Sequence, residues 1–254
     1  MYTKRIVAFI DILGFKHLVD QNNFEKVDKV LSIFEDMINK SNERNLMFTD
    51  DKDNFKSSEQ NLSFFSDCVI WTYPYQDQEE QSEHYKFLLL KSLIGLFFVL
   101  QHSLFTHGIL IRGGVTIGNI YQSKSRVFGP ALVKAYSLEN KAKYPRFAFD
   151  NIFLRGIDLR VLKLLKHDIR FSYNRQLFYL DIFNQLQLIN TFILNSSKES
   201  KILEKTILPM YLEPLVKIIK ENKDAHSNPR IQAKFNWMEK KIMSIKNLQY
   251  PLEW

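Results

Sequence analysis

The sequence lacks most of the features that mark a chain for export, for a membrane or for nucleic acid. Among 254 residues there is one cysteine, Cys68, so an intrachain disulfide is excluded and packing must hold the fold. The strongest apolar run, FLLLKSLIGLFFVLQ at 87–101, is interrupted by Lys91 and falls short of the roughly 20 residues a membrane span needs. In the first run, MYTKRIVAFIDILGF, the apolar stretch before Asp11 is too short for a secretory signal, and a cytoplasmic address is expected. Arginine-rich arms and zinc-finger spacings are missing. The net charge of +7, from 35 Lys and Arg against 28 Asp and Glu, therefore reads as solvated basic faces, and no nucleic-acid or membrane partner is expected. His84, His102 and His107 have no metal-ligand spacing with a carboxylate. Gly113 and Gly114 lack the Gly-Lys-Ser/Thr sequel of a phosphate loop and are expected to permit close backbone approach in a sheet. No internal repeat, low-complexity segment or linker is visible.

What is present is a globular composition, 45% hydrophobic and 25% charged, in a chain long enough to bury one sizeable core. RIVAFIDILGF (5–15) is rich in β-branched and aromatic residues and predicts a buried strand ending at Gly14. In FEKVDKVLSIFEDMINK (24–40), Val27, Val30, Leu31, Phe34, Met37 and Ile38 fall on one helical face. The aperiodic stretch 41–60 predicts a loop or flap, and NLSFFSDCVIWTYP (61–74) two short strands with Ser66 and Asp67 at the bend. A helix over 84–107, a strand at 108–118, a helix over 128–146 opened by Gly129-Pro130 and closed before Pro145, and a strand at 146–150 follow. Residues 170–183 give a last strand pair, and 184–254, with Trp237 and Trp254, read as helices. This alternation predicts an α+β fold, a sheet with helices on one face. Residues 1–182 are expected to form the main domain, with 183–254 packed on it.

Two aspartates stand out. Asp11 in FIDILGF and Asp67 in FFSDCVIW each sit among residues that read as buried strand, and a buried charge costs several kcal/mol, on the order of 3–5, unless it is paired. If residues 5–13 and 62–67 lie side by side, the two carboxylates meet at a strand edge and repel unless they share a proton or a cation. Mg²⁺ or Mn²⁺ suits them, since such ions take one or two carboxylates plus substrate phosphate oxygens. Strand alternation puts Cys68 on the face opposite Asp67, as a packed thiol.

FIDILGF, FSD at 65–67, IRGGVTIG (111–118) and VFGPALVKAYSLENKA (127–142) resemble, in order and spacing, four motifs of the class III nucleotidyl cyclases, over roughly residues 5–182. The RGG strand, the GPAL–KAY–LE helix, the YPR sequel and the tail KFNWMEKKI (234–242) are similar to those of the stand-alone pyrimidine cyclases of Pycsar antiphage systems. The resemblance implies a ferredoxin-like catalytic fold and a head-to-tail homodimer with active sites at its interface. It implies two Mg²⁺ or Mn²⁺ ions on Asp11, Asp67 and the Ile12 carbonyl, and a triphosphate cradled by the amides of Gly14, Phe15 and Lys16. The implied reaction converts UTP or CTP to a cyclic monophosphate that signals to a separate effector protein. Departures from the family pattern are Ser63 and Arg126 at the purine-reading positions, and Val133 and Ser137 where the catalytic helix carries Asn and Arg. Tyr136, Arg112, Arg126 and Lys134 are candidates to take over the transition-state stabilisation that those two residues supply. Arg112 could equally pair with a core carboxylate, and Lys134 is expected to be solvated. Two further readings stand beside this one, a catalytically inactive nucleotide- or partner-binding domain and a purine (adenylate) cyclase.

Overall fold

The computed structural model describes residues 1–43, 60–75, 82–123, 125–165, 169–171, 176–180, 182–183, 186–187, 200–223 and 227–245. The predicted flap at 41–60 and Trp254 fall almost entirely outside these residues. Strands β1 (Thr3–Leu13), β2 (Asn61–Phe65), β3 (Cys68–Pro74) and β4 (Leu110–Gln122) alternate with helices α2 (Phe24–Glu43) and α3 (Glu83–Phe105); a short α1 (Phe15–Asp20) follows β1 directly. The hairpin β2–β3 turns at Ser66, whose φ of 54° fits a tight bend. β5 (Val127–Phe128) pairs with the end of β4, and α4 (Pro130–Ala142), β6 (Phe147–Asp150), α5 (Leu159–Leu162), β7 (Arg170–Phe171) and β8 (Leu177–Leu180) follow. Helices α6 (Ser200–Lys223) and α7 (Pro229–Met243) complete the described chain.

The strand order is β2-β3-β1-β4-β6-β8-β7. β1 lies antiparallel between β3 and β4, so the first four strands and two crossover helices form the βαββαβ, all-antiparallel arrangement of the ferredoxin-like fold. β6 then joins β4 in parallel. The α+β, ferredoxin-like expectation therefore holds on topology alone.

Alternation along β1 decides what each face buries. Ile6, Ala8, Ile10 and Ile12 face α2 and α3 and join Phe34, Trp71, Leu93, Phe97, Phe147, Phe149 and Phe178 in the main core. The Phe97 and Phe147 rings lie 4.4 Å apart and those of Phe149 and Phe178 5.0 Å apart. Each such ring contributes about 1.5–3 kcal/mol by leaving water. Val7 and Phe9 face the other way, onto Ala131 and Ala135 of α4. Helices therefore cover both faces of the sheet rather than one. The reason lies in Gly114, where a Cβ would fall on the backbone carbonyl of Ala135 and the amide of Glu139. The glycine does permit close approach, but of a helix onto the sheet rather than of strand to strand. The 23-residue α3 is long and apolar enough to cross a membrane by length and composition, and nine of its residues are buried in the protein. A second cluster joins Leu212, Leu215 and Ile219 of α6 and Phe235, Met238 and Ile242 of α7 to Phe105, Leu110, Ile182 and Phe183.

Candidate functional site

The register of three strands builds the site. Asp11 lies opposite Cys68 on β3 and opposite Arg112 on β4, so all three side chains share the face that α4 covers. Asp67 stands in the turn between β2 and β3, and its carbonyl accepts a 2.8 Å hydrogen bond from the Ile12 amide. This bond ties the turn to β1. One carboxylate oxygen each of Asp11 and Asp67 and the Cys68 sulfur lie within 4.8 Å of one another. The Ile12 side chain itself is buried in the main core.

Arg112 fills the space between two acids. Its Nε and Nη2 approach Asp11 Oδ2 at 3.0 and 2.8 Å, and Nε is also in ion-pair contact with Oε1 of Glu139, a residue 2% exposed. The Nε–H points at Asp11, so the contact with Glu139 is electrostatic rather than a hydrogen bond. Burial raises Asp11 above its ordinary value, Arg112 opposes the rise and Asp67 adds to it. Glu139 is raised for the same first reason, again against Arg112. Lys234 of α7, half-buried, completes the group. Burial and the Arg112 charge push its ammonium down, while Asp11 and Glu139 pull it up.

The donor set can be tested against a divalent cation. Two carboxylates a few ångströms apart suit a hard, oxygen-seeking ion. The Cys68 thiol does not: burial first, then Asp67 and Asp11, push it up to about 12, leaving a neutral sulfur that donates to Asp67 Oδ1 at 3.5 Å. Cys68 therefore shares the site with Asp67 instead of facing away, because Asp67 belongs to the turn and strand alternation does not apply to it. The residues fit Mg²⁺ or Mn²⁺, with Asp11 and Asp67 to hold the ion and Arg112 holding Asp11 meanwhile.

The remaining predicted residues fall in three places. Gly14, at φ 83°, turns β1 into α1, with Phe15 buried and Lys16 exposed. Ser63 accepts a 3.4 Å bond from Gln122 Nε2, whose Oε1 accepts from Thr72 at 2.6 Å. Gln122 leads into the turn where the Arg126 amide donates to Ser123, so Ser63 and Arg126 are brought to one neighbourhood. On α4, Val133, Tyr136 and Ser137 form an exposed stripe, and Tyr136 meets Phe9 edge-on at 5.3 Å. Lys134 is exposed, as expected, and its ammonium also pairs with the buried Asp150, which accepts from Thr116 at 2.8 Å. Sequence reasoning missed Glu139, Gln122 and Lys234. Glu139 had a signal, lying four residues after Ala135 and one after Leu138 on the buried stripe of α4; Lys234 had none.

No protein-family model matches the sequence, and no curated protein matches it. Solved structures similar in backbone include the adenylyl cyclase CyaB from P. aeruginosa, 15% identical, with 71% of this chain and 95% of that chain covered at a TM-score of 0.42. The monomeric guanylyl cyclase domain of the RhoGC fusion protein from the aquatic fungus Blastocladiella emersonii is 12% identical over 70% of this chain and 95% of that chain, at 0.45. A class III adenylyl cyclase-like ATP-binding protein from Pseudomonas aeruginosa is 16% identical over 72% of this chain and 39% of that chain, at 0.41. The fold assignment rests on the strand order given above rather than on these overlaps.

Proposed function

We propose that the protein is a nucleotidyl cyclase acting on a pyrimidine nucleoside triphosphate, UTP or CTP. The observation that carries this reading is the meeting of Asp11 and Asp67, from a central strand and a hairpin turn, at the end of the sheet where β1 passes into the Gly14 turn. The 3′-oxygen of the ribose would bond to the α-phosphorus as the bond to the bridging oxygen breaks. That electron pair leaves with pyrophosphate, and the hydroxyl proton passes to solvent. Divalent ions, when bound, lower the pKa of the 3′-hydroxyl and neutralise phosphate charge. Asp11 and Asp67 would hold them with the Ile12 carbonyl, the Gly14–Lys16 turn would bind phosphates, and Arg112 would hold Asp11 in place.

Base choice is read from Ser63, Gln122 and Arg126. A guanidinium only donates and cannot accept from an adenine amino group, whereas uracil and cytosine offer carbonyl acceptors. Sites with unmatched polar groups reject the wrong base by large factors. The enzyme would work in the cytoplasm as a homodimer, and its cyclic product would serve a separate effector in antiphage defence. The test is incubation with each of the four NTPs and Mn²⁺, with cyclic products read by mass spectrometry. A cyclic pyrimidine product that disappears in Asp11→Ala and in Asp67→Ala, with the circular dichroism unchanged, is expected. Equal or better turnover of ATP or GTP would replace this reading by a purine cyclase. A second reading, a binding domain without turnover, is favoured by one observation, the Arg112 guanidinium already bound to Asp11. Nucleotide binding with no cyclic product would establish it.

A further inference from the structure

The C-terminal helices border the site rather than merely covering the sheet. Trp237 of α7 stacks on Tyr144, just past the end of α4, with ring centroids 4.7 Å apart and planes within 4° of parallel. It also meets Phe183 edge-on at 5.5 Å, and Arg146 lies over the same ring. Lys223 of α6 grips Glu239 of α7 at 2.7 Å. Phe235 is packed in the cluster that contains Leu110 of β4 and borders Leu13 of β1. Those two residues lie two positions from Arg112 and Asp11. Lys234, next to Phe235 and one helical turn before Trp237, is thereby carried to the border of the group made by Asp11, Arg112 and Glu139, within reach of their charges. Among these side chains Arg112 is already committed to two carboxylates, and the exposed stripe of α4 offers Val133 and Ser137, neither a cation.

Resting on the cyclase reading above, we propose that Lys234 is a polyphosphate-binding residue of the site, carried in by the C-terminal helix α7 to supply the positive charge that Val133 and Ser137 of α4 do not. An ammonium is a compact point charge on a flexible stem, suited to phosphate oxygens whose positions shift as pyrophosphate departs. Its partial burial favours this use, since a charge-assisted contact is stronger where water is scarce. Without a ligand it offsets the acids beside Arg112. It would turn to the phosphates once Asp11 and Asp67 held divalent ions.

The experiment compares wild type, Lys234→Met, which keeps the stem, and Lys234→Arg in the full chain. Calorimetry reads the affinity for inorganic pyrophosphate and for the nucleoside monophosphate, both with Mn²⁺; kinetics read KM and kcat, and thermal melts read stability. Lys234→Met should weaken pyrophosphate on the order of tenfold to a hundredfold, the range for one lost charge-assisted contact, and raise KM for the triphosphate. Monophosphate affinity and the melt should stay near wild type, and Lys234→Arg should restore most of the loss. Wild-type pyrophosphate affinity and KM in Lys234→Met would overturn the assignment while leaving the cyclase reading standing. Equal losses for pyrophosphate and monophosphate together with a lowered melt would also overturn it, in favour of a packing role. A wild-type protein that makes no cyclic product from any NTP would remove the cyclase reading and this inference with it.

Discussion

Replacing Arg112 by methionine removes a charge and keeps most of the volume, and the consequences can be worked through. The side chains of Asp11 and Glu139 are 15% and 3% exposed, so water cannot fully solvate either carboxylate once the guanidinium is gone. Breaking a buried ion pair by removing one partner costs about 3–5 kcal/mol. Here Arg112 is itself 23% exposed, Lys234 stays nearby, and either acid can take up a proton. A loss of about 2 kcal/mol at neutral pH is the reasonable figure, read as a lower urea midpoint at unchanged slope.

The pH dependence fixes the cause. Burial already raises Asp11 and Glu139 above their ordinary values of 3.8 and 4.5 against the pull of Arg112, so without Arg112 both rise further. A carboxyl raised in the folded state binds its proton more tightly when folded than when unfolded. Its ionisation therefore costs stability, and the deficit of the variant is complete above the folded-state value. As pH falls through that value towards the ordinary one, the deficit shrinks. Urea unfolding of wild type and variant at neutral pH and near pH 4.5, with and without Mn²⁺, gives the comparison. Acid should narrow the gap, and Mn²⁺ at neutral pH should narrow it too, by replacing the lost positive charge. A gap of the same size at both pH values, or no gap, refutes the charge-balance account of this cluster.

Gly114→Ala should cost about 3 kcal/mol or more, because the added Cβ meets backbone of α4 that cannot yield without lifting the helix; a thermal melt measures it. At pH 8, alkylation of Cys68 by iodoacetamide should run at least about tenfold slower in the folded protein than in urea, since its thiol is pushed up to about 12, and Cys68→Ser should keep turnover. Mixing Asp11→Ala with Asp67→Ala protein should restore no cyclic product, because both carboxylates come from one chain; recovery of activity would mean that the site is assembled across two copies.

How much of this was legible in the sequence depends on whether a property is local. Strands, caps and bends are written in short stretches, and Gly129-Pro130 opening α4, or Ser66 turning the β2–β3 hairpin, fall where local chemistry puts them. The approach of Asp11 to Asp67 was legible for a less local reason: each was a charge in an apolar strand, and a misplaced charge demands a partner even when the partner is unknown. The same logic applied to Arg112 and Glu139 would have joined them, since a cation in ILIRGG and an acid on the alanine stripe of α4 are complementary misfits on elements that cross. Position in the strand pattern failed where a residue left the strand. Cys68 could be assigned to the far face only if Asp67 continued the alternation, and a turn residue does not. The two-sided covering of the sheet depends on a close approach at Gly114, where the missing Cβ leaves room for backbone of α4, and that shows only when α4 is laid over β4. Lys234 lies furthest from any local signal. A lysine on an amphipathic helix reads as solvated by default, and it is the packing of α7, with Trp237 stacked on Tyr144 more than ninety residues away in sequence, that brings it within reach of the charges of Asp11 and Glu139. Residues that carry long-range electrostatics are thus hidden in proportion to how ordinary they look in their own segment.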